Sequence, residues 1–145
     1  MSEAAMKSTL IKALAPLDPQ CIESPVTGLG IPDVNFIGGW FECKNLDAWP
    51  KGADTNPVRF HHPLTKEQGV WLYRRSKAGG LAMVCAKVAT DWFFFDGSWI
   101  KNKWHMMTRP EMMEMADLFM PRKLEQDRLL EYIRSRSENS RFKKP

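Results

Sequence analysis

Residues 30–44 read GIPDVNFIGGWFECK, and this stretch decides the fold. Apolar and aromatic residues at 34–37 and again at 40–44 are typical of β-strands. The pair Gly38-Gly39 stands between them and favours a tight turn between antiparallel strands. The stretch therefore predicts a β-hairpin, and the rest of the chain has to pack around it.

The segments on either side of the hairpin carry helical or strand patterns. Met6, Leu10 and Leu14 recur every four residues and predict a first helix over residues 2–15, with Ser2 as its N-cap. This order of elements predicts an α/β fold with a mixed central β-sheet flanked by helices and a C-terminal helical extension. The other elements that we predict are a strand at 21–24, a long loop at 45–63, a helix from Thr65 to Gly79 with residues 70–73 facing inward, strands at 81–88 and 91–95, and helices at 111–120 and 122–136.

Length and composition favour one packed core. The chain has 145 residues, of which 43% are hydrophobic and 26% charged. We assign residues 1–110 to this core and residues 111–145 to C-terminal helices and a basic tail that pack on the core or extend from it. No apolar run approaches the roughly 18–20 residues of a membrane span, and no signal peptide is recognisable. The three cysteines suit reduced thiols, so we expect a cytoplasmic protein.

The net charge of +4 resides in the C-terminal part of the sequence. From Pro121 onward there are eight Lys or Arg and four Asp or Glu, whereas residues 1–120 hold thirteen of each. A basic tail can bind phosphates, but a solvated, frayed terminus explains the same residues equally well. The charge therefore permits nucleic acid as a partner without identifying it.

Three reactive side chains of the hairpin are expected to share one site. Side chains of a strand alternate between its faces, so Glu42 and Lys44 face the same way, and Asp33 on the neighbouring strand can lie beside Glu42. Converging carboxylates need a cation between them, and oxygen ligands suit Mg²⁺ or Mn²⁺. Such an ion can polarise a phosphodiester and activate a water, with Lys44 next to that water or the phosphate. The alternative is an ordinary hairpin with a cross-strand salt bridge.

These residues resemble a known family of nucleases. Pro-Asp at residues 32–33 followed by Glu-x-Lys at residues 42–44 is similar to the core motif of the PD-(D/E)xK nuclease superfamily. Together with LTKEQ at residues 64–68, the sequence resembles more narrowly the virus-type replication-repair nuclease (VRR-NUC) branch, which is related to archaeal Holliday-junction resolvases. The resemblance covers residues 2 to about 95. It implies a restriction-endonuclease-like core.

The resemblance also implies roles for the matching residues. Asp33 and Glu42 would bind the metal ion together with the backbone carbonyl of Cys43. Lys44 would be the catalytic lysine, and Gln68 an active-site glutamine on the following helix. Gln68 has an alternative explanation, because Thr65-x-x-Gln68 is also the pattern of a helix capping box.

A further metal ligand and catalytic residue is implied on the first helix, where Glu3 is the matching position. At 100° per residue, Glu3 falls within the stripe of Met6, Leu10 and Leu14, which predicts that its carboxylate faces the body of the protein. An acidic residue in the first turn is also favourable to the helix dipole, and that alternative stays open.

The function that the resemblance implies is a Mg²⁺-dependent, structure-specific DNA endonuclease of repair or recombination, for which Mn²⁺ would substitute. Family members of this size are mostly viral and resemble junction-resolving dimers, so a homodimer in the host cytoplasm that cuts four-way (Holliday) junctions is expected. A nuclease acting on flaps, nicks or single-stranded ends is one alternative. A non-catalytic DNA-binding accessory protein of replication or repair is another.

Several basic residues outside the motif are candidate DNA contacts, although a solvated helix face explains most of them as well. They are Arg59, His61, Lys66, Arg74, Arg75 and Lys77. The neighbouring pair His61-His62 lacks the further spaced ligands that a zinc site needs. The aromatic run at 92–95 favours a buried strand over a base-stacking platform, and the Met-rich segment after residue 111 favours core or a dimer surface.

Overall fold

The computed structural model describes residues 2–22 and 29–142, with the side chains of the last helix described as far as Arg136. In this part of the chain one six-stranded sheet forms, with the strands in sequence order from one edge to the other. The strands are β1 (Gln20–Cys21), β2 (Val34–Phe36), β3 (Gly39–Leu46), β4 (Leu81–Val88), β5 (Asp91–Asp96) and β6 (Leu118–Met120). The α-helices are α1 (Glu3–Ala13), α2 (Lys66–Lys77), α3 (Arg109–Met115) and α4 (Gln126–Phe142), and two short 3₁₀ helices span Ala15–Leu17 and Ile100–Asn102. The predicted α/β class with a mixed sheet is confirmed.

The predicted hairpin supplies the second and third strands of this sheet. β2 and β3 pair antiparallel, with Val34 opposite Phe41. Gly38 in the turn has φ = 104°, a left-handed backbone value that glycine adopts without strain. β3 then pairs in parallel with β4 over all eight residues, and α2 is the crossover between these two strands.

Each face of the sheet has its own apolar core. One core lies between the sheet and helices α1 and α4, and it includes Met6, Phe41 and Ile133. The other lies between the sheet and helices α2 and α3, and it includes Leu72 and Met112. Because α4 contributes to the first core and β6 pairs with β5, residues after 110 pack directly against the sheet.

The ends of the helices follow the predicted signals. The Ser2 hydroxyl accepts a hydrogen bond from the N–H of Ala5, as an N-cap does. Thr65 and Gln68 form the complete capping box at the start of α2. α2 ends at Lys77, immediately before the predicted stop at Gly79-Gly80.

Several predicted elements differ in the structure. The helix expected at 111–120 ends at Met115, because residues 118–120 pair with β5 as an edge strand. The last helix begins at Gln126, not at residue 122. Val70 is 38% exposed, although it was expected to face inward, because the buried side of α2 is centred on Leu72. Of the strand predicted at 21–24, Cys21 is in β1, and residues 23–24 lie outside the described residues.

No helix in the described ranges is both long and apolar enough to cross a membrane.

Candidate active site

Strand β3 presents Glu42 and Lys44 on the sheet face that α2 covers. Phe41 and Cys43 point to the opposite face and join the core under α1, as the alternation of the strand predicts. Glu42 is 3% exposed and Lys44 is 6% exposed, so both ionisable side chains are buried. Their side chains pair, with Lys44 Nζ 3.6 Å from Glu42 Oε2.

Asp33 lies just before β2 and reaches across to the backbone of β3. Its Oδ2 accepts a hydrogen bond of 2.9 Å from the N–H of Cys43, the residue between Glu42 and Lys44. The hairpin therefore holds this carboxylate next to Glu42. Pairing between β2 and β3 makes this placement possible, because it brings residues ten positions apart in sequence into contact.

Gly30 allows the chain before Asp33 to approach the first turn of α2. It has φ = +74°, and a Cβ atom added there would lie 2.3 Å from the backbone oxygen of Glu67. Only glycine fits such a close approach of two backbones. Gly30 thus brings the Asp33 segment and the start of α2 together at one end of the site.

Gln68 connects the two buried charges. Its Nε2 donates to Glu42 Oε2 at 3.0 Å, while its Oε1 accepts from Lys44 Nζ at 3.4 Å and from the N–H of Thr65 at 3.0 Å. Lys44 also donates to the backbone oxygen of Pro63 at 3.3 Å. The two explanations of Gln68 are therefore compatible, because the capping box fixes the amide that contacts Glu42 and Lys44.

The carboxyl group of Glu42 has one oxygen without a hydrogen-bond partner among the described residues, and its pKa is raised. This oxygen is Oε1, and it is buried. Burial and the neighbouring Asp33 carboxylate raise the pKa of Glu42 to about 8, and the nearby Lys44 only partly opposes this shift. When both carboxyl groups are ionised, neither can donate a hydrogen bond to the other. A proton or a cation is therefore needed between them.

A magnesium ion fits this pair of carboxylates. The described residues contain no group of three or more His, Cys, Asp or Glu side chains suited to hold a metal ion. Magnesium does not require one, since it usually keeps several waters and binds through one or two carboxylates. The donor set of two carboxylates with the carbonyl of Cys43, as the motif implies, is thus chemically adequate for Mg²⁺ or Mn²⁺.

Glu3 lies at the edge of the site. Its side chain is 45% exposed and contacts Lys7, with 4.0 Å between Lys7 Nζ and Glu3 Oε1. Glu3 and Lys44 both line a cleft of about 230 Å³, whose other walls include His61 and Asp47. Glu3 thus borders a cleft that reaches Lys44, and its side chain is more exposed than the helical stripe predicted.

Lys7 is a component of the site that the sequence interpretation missed. Its Nζ lies 3.4 Å from Asp33 Oδ1 as well as 4.0 Å from Glu3. The spacing of Glu3 and Lys7, four residues apart on α1, was a signal for their pairing. Nothing in the sequence showed that Asp33 would meet the same ammonium group, because that contact depends on how α1 docks on the hairpin.

The loop that walls the cleft is held by the segment at 104–107. The N–H of Phe60 donates to His105 Nε2 at 2.8 Å, and the N–H of Val58 donates to the backbone oxygen of Met107 at 2.8 Å. The Phe60 ring stacks on Trp104 with 4.6 Å between ring centroids. These contacts place His61 in the wall of the cleft.

The candidate DNA contacts lie on two exposed surfaces. Arg59 and His61 are on the cleft loop, and the remaining four are on α2. All six are exposed. The aromatic run at 92–95 is buried in β5, which confirms that it belongs to the core and is unavailable for stacking on bases.

No family model, no curated protein and no solved structure matches this chain. A functional assignment therefore depends on the residues of the chain itself and on the motif that they form.

Proposed function

We propose that this protein is a Mg²⁺-dependent DNA endonuclease that hydrolyses phosphodiester bonds at the Asp33–Glu42–Lys44 site. The observation that carries the proposal is the buried Glu42 carboxyl group beside that of Asp33, with a lysine on the same strand. Once both acids are ionised they cannot hydrogen-bond to each other, and Glu42 Oε1 has no other partner among the described residues. Buried polar atoms in stable proteins are almost always hydrogen-bonded. A buried oxygen that lacks a hydrogen bond and lies beside a second carboxylate is expected where a cation binds.

Each residue has a defined part in the proposed reaction. Asp33 and Glu42 would hold the divalent ion together with the Cys43 carbonyl. When bound, such an ion would supply Lewis-acid polarisation of the phosphate and would lower the pKa of a water. Lys44 donates a hydrogen bond to the attacking water or to the phosphate oxygen on which negative charge develops. Gln68 holds the side chains of Lys44 and Glu42 in place by hydrogen-bonding to both.

The substrate and the setting extend this proposal beyond the site. We infer a branched DNA such as a four-way junction as substrate, because the motif resembles that of junction-resolving enzymes. A two-fold dimer would match the two symmetric cuts that such a junction requires. The proposed setting is DNA repair or recombination, in the host cytoplasm if the protein is viral.

Cleavage of labelled DNA tests the proposal. The substrates are a four-way junction, a flap, a plain duplex and a single strand, each with Mg²⁺, with Mn²⁺ or with EDTA. We expect cutting with either metal, none with EDTA, and a loss of at least about 10²-fold in the Lys44→Met variant. Met retains most of the volume of the buried lysine, so the variant is expected to fold.

The matched control is Lys12→Met, at an exposed lysine in the last turn of α1, which should cut as the wild type does. DNA binding without cutting under every metal condition would contradict the proposal. That result would favour the non-catalytic accessory protein. Cutting that Lys44→Met leaves unchanged would assign the activity to another site or to a contaminant.

A further inference from the structure

The exposed surface of α2 combines cations with aromatic rings. We name it the cation–aromatic surface and define it by Trp40, Trp71, Tyr73, Arg75, Lys77 and Lys101. The Arg75 guanidinium lies 4.5 Å from the centroid of the Trp71 ring and 5.8 Å from that of Trp40. Lys101 Nζ and Lys77 Nζ lie 4.4 Å and 5.6 Å from the centroid of the Tyr73 ring. Each of these cations is thus positioned against a ring.

Trp40, Trp71 and Arg75 continue directly from the proposed active site. Trp40 is two residues before Glu42 on the same face of β3, which is about 7 Å along the strand. Trp71 and Arg75 follow Gln68 by three and seven residues and therefore share its side of α2. The rings of Trp40 and Trp71 meet edge to face with 5.1 Å between centroids. The two rings thus connect Glu42 on β3 with Arg75 on α2. Tyr73 follows Trp71 by two residues and therefore lies with Lys101 on the other flank of α2.

The surface has room for a ligand. Trp71, Tyr73, Arg75 and Lys77 line a cavity of about 500 Å³, whose walls are completed by Arg74 and Ala78. The three cations of the surface are exposed: Arg75 and Lys77 on α2, and Lys101 on the second 3₁₀ helix. The three aromatic rings are half-buried. The 3₁₀ helix that carries Lys101 packs closely on α2, because a Cβ added to Gly69 would lie 3.0 Å from Lys101 Cβ. This packing places Lys101 next to Tyr73, with its Nζ 4.4 Å from the ring centroid.

We propose that the cation–aromatic surface binds unpaired nucleotides of a DNA strand next to the phosphate that is cut. The choice of DNA rests on the proposed function. Proteins that bind single strands combine a basic groove for the backbone with aromatic rings on which bases stack. A duplex would need only the cations, because its bases are already stacked on one another and are not available to Tyr73 or Trp71. The ligand class is therefore single-stranded DNA or the unpaired strand of a flap, and binding of this class would favour those alternative substrates over a fully paired four-way junction.

Binding measured without cleavage tests this inference. Fluorescence anisotropy in EDTA follows a labelled oligo(dT) of about 15 nucleotides and a duplex of equal length. We expect the oligo(dT) to bind more tightly than the duplex. Tyr73→Leu and Trp71→Leu should each weaken oligo(dT) binding about tenfold, whereas Tyr73→Phe and Trp71→Phe retain the ring and should bind as the wild type does.

The dependence on salt separates stacking from charge. Replacing Arg75 or Lys77 by Gln should reduce the slope of log K against log salt by about 0.7 for each phosphate contact that is lost. Tyr73→Leu should leave the slope unchanged, and so should Lys12→Gln, a control at an exposed lysine in the last turn of α1. Oligo(dT) binding that Tyr73→Leu and Trp71→Leu leave unaltered would overturn the inference, as would equal affinity for duplex.

The outcome is independent of catalysis. If the leucine variants lose binding to single strands but no metal supports cutting, the proposed nuclease function fails and the surface remains a DNA-binding site. If the protein cuts DNA and the leucine variants bind and cut as the wild type does, the nuclease function stands and this inference fails.

Discussion

The raised pKa of Glu42 predicts that the metal-free protein loses stability as the pH rises. Its pKa is about 8 in the folded chain and near 4.5 in the unfolded chain. Between these values the folded protein holds a proton that the unfolded chain has released, so the free energy of unfolding must fall with increasing pH. Each pH unit in this window costs about 1.4 kcal/mol. Between pH 4.5 and pH 7 the free energy of unfolding therefore falls by about 3 kcal/mol. Solvent screening does not reduce this figure, because the side chain of Glu42 is almost fully buried.

Urea unfolding in EDTA, from pH 5 to pH 8, measures this loss. Other groups titrate in the same range: burial, with Arg59 and Lys44 nearby, lowers the pKa of His105, which adds stability as the pH rises. The Glu42→Gln variant isolates the contribution of Glu42, because an amide keeps the shape of the side chain and does not titrate. We expect the wild type to lose stability relative to Glu42→Gln across this range, with unchanged m-values.

A divalent ion should reverse the effect. Mg²⁺ or Mn²⁺ binds the ionised carboxylates and not the unfolded chain, so it stabilises the protein by an amount that grows with its concentration over Kd. Near pH 7 binding should also release a proton, which calorimetry in two buffers of different ionisation enthalpy detects. A flat difference between wild type and Glu42→Gln from pH 5 to pH 8 would refute the reasoning, because Glu42 would then be ionised without a metal.

The remaining predictions concern residues around the carboxylates. Lys7→Met removes a cation that opposes the metal ion, so calorimetry should show Mn²⁺ binding tightened by about threefold to tenfold; unchanged affinity would place Lys7 outside the field of the ion. Gly30→Ala should lower the free energy of unfolding by about 1–3 kcal/mol and weaken Mn²⁺ binding, because the new Cβ meets the backbone of Glu67. Its control is Gly52→Ala, where φ is also positive at +79° but a Cβ meets only a side chain, so Mn²⁺ binding should be retained. Leu72→Ala, at a fully buried position under α2, should cost about 2–5 kcal/mol in urea unfolding. A cost near zero would mean that α2 does not depend on this contact.

Local patterns predicted the centre of the fold. The alternation along β3 placed Glu42 and Lys44 on one face, and the capping box placed the start of α2, because both signals act within a few residues. The strand at Leu118–Met120 was not predictable in the same way. Three apolar residues are compatible with helix or strand, and only pairing with β5 selects the strand.

The site was predictable only in part, for the same reason. Asp33 and Glu42 were expected to converge because a short hairpin links them. The contact of Lys7 with Asp33 and the fixing of Phe60 by His105 join segments that are distant in sequence, and no periodicity reports such contacts. The same holds for Lys101, whose place beside Tyr73 follows from the packing of a short 3₁₀ helix on α2.

Glu42 and Lys44 lie on an apolar face of the sheet, where they contribute less to the stability of the fold than apolar side chains would. In the parallel pairing with β4, Glu42 lies opposite Val84 and Lys44 opposite Ala86, both fully buried and apolar. When Glu42 is ionised, as metal binding requires, it forms a buried ion pair with Lys44, and apolar side chains of similar volume in place of such a pair are often neutral or stabilising. The orphan oxygen of Glu42 adds a further cost. Since proteins break local rules of stability mainly at functional sites, this polar pair on an apolar face supports the proposal that the hairpin binds a cation at a phosphodiester.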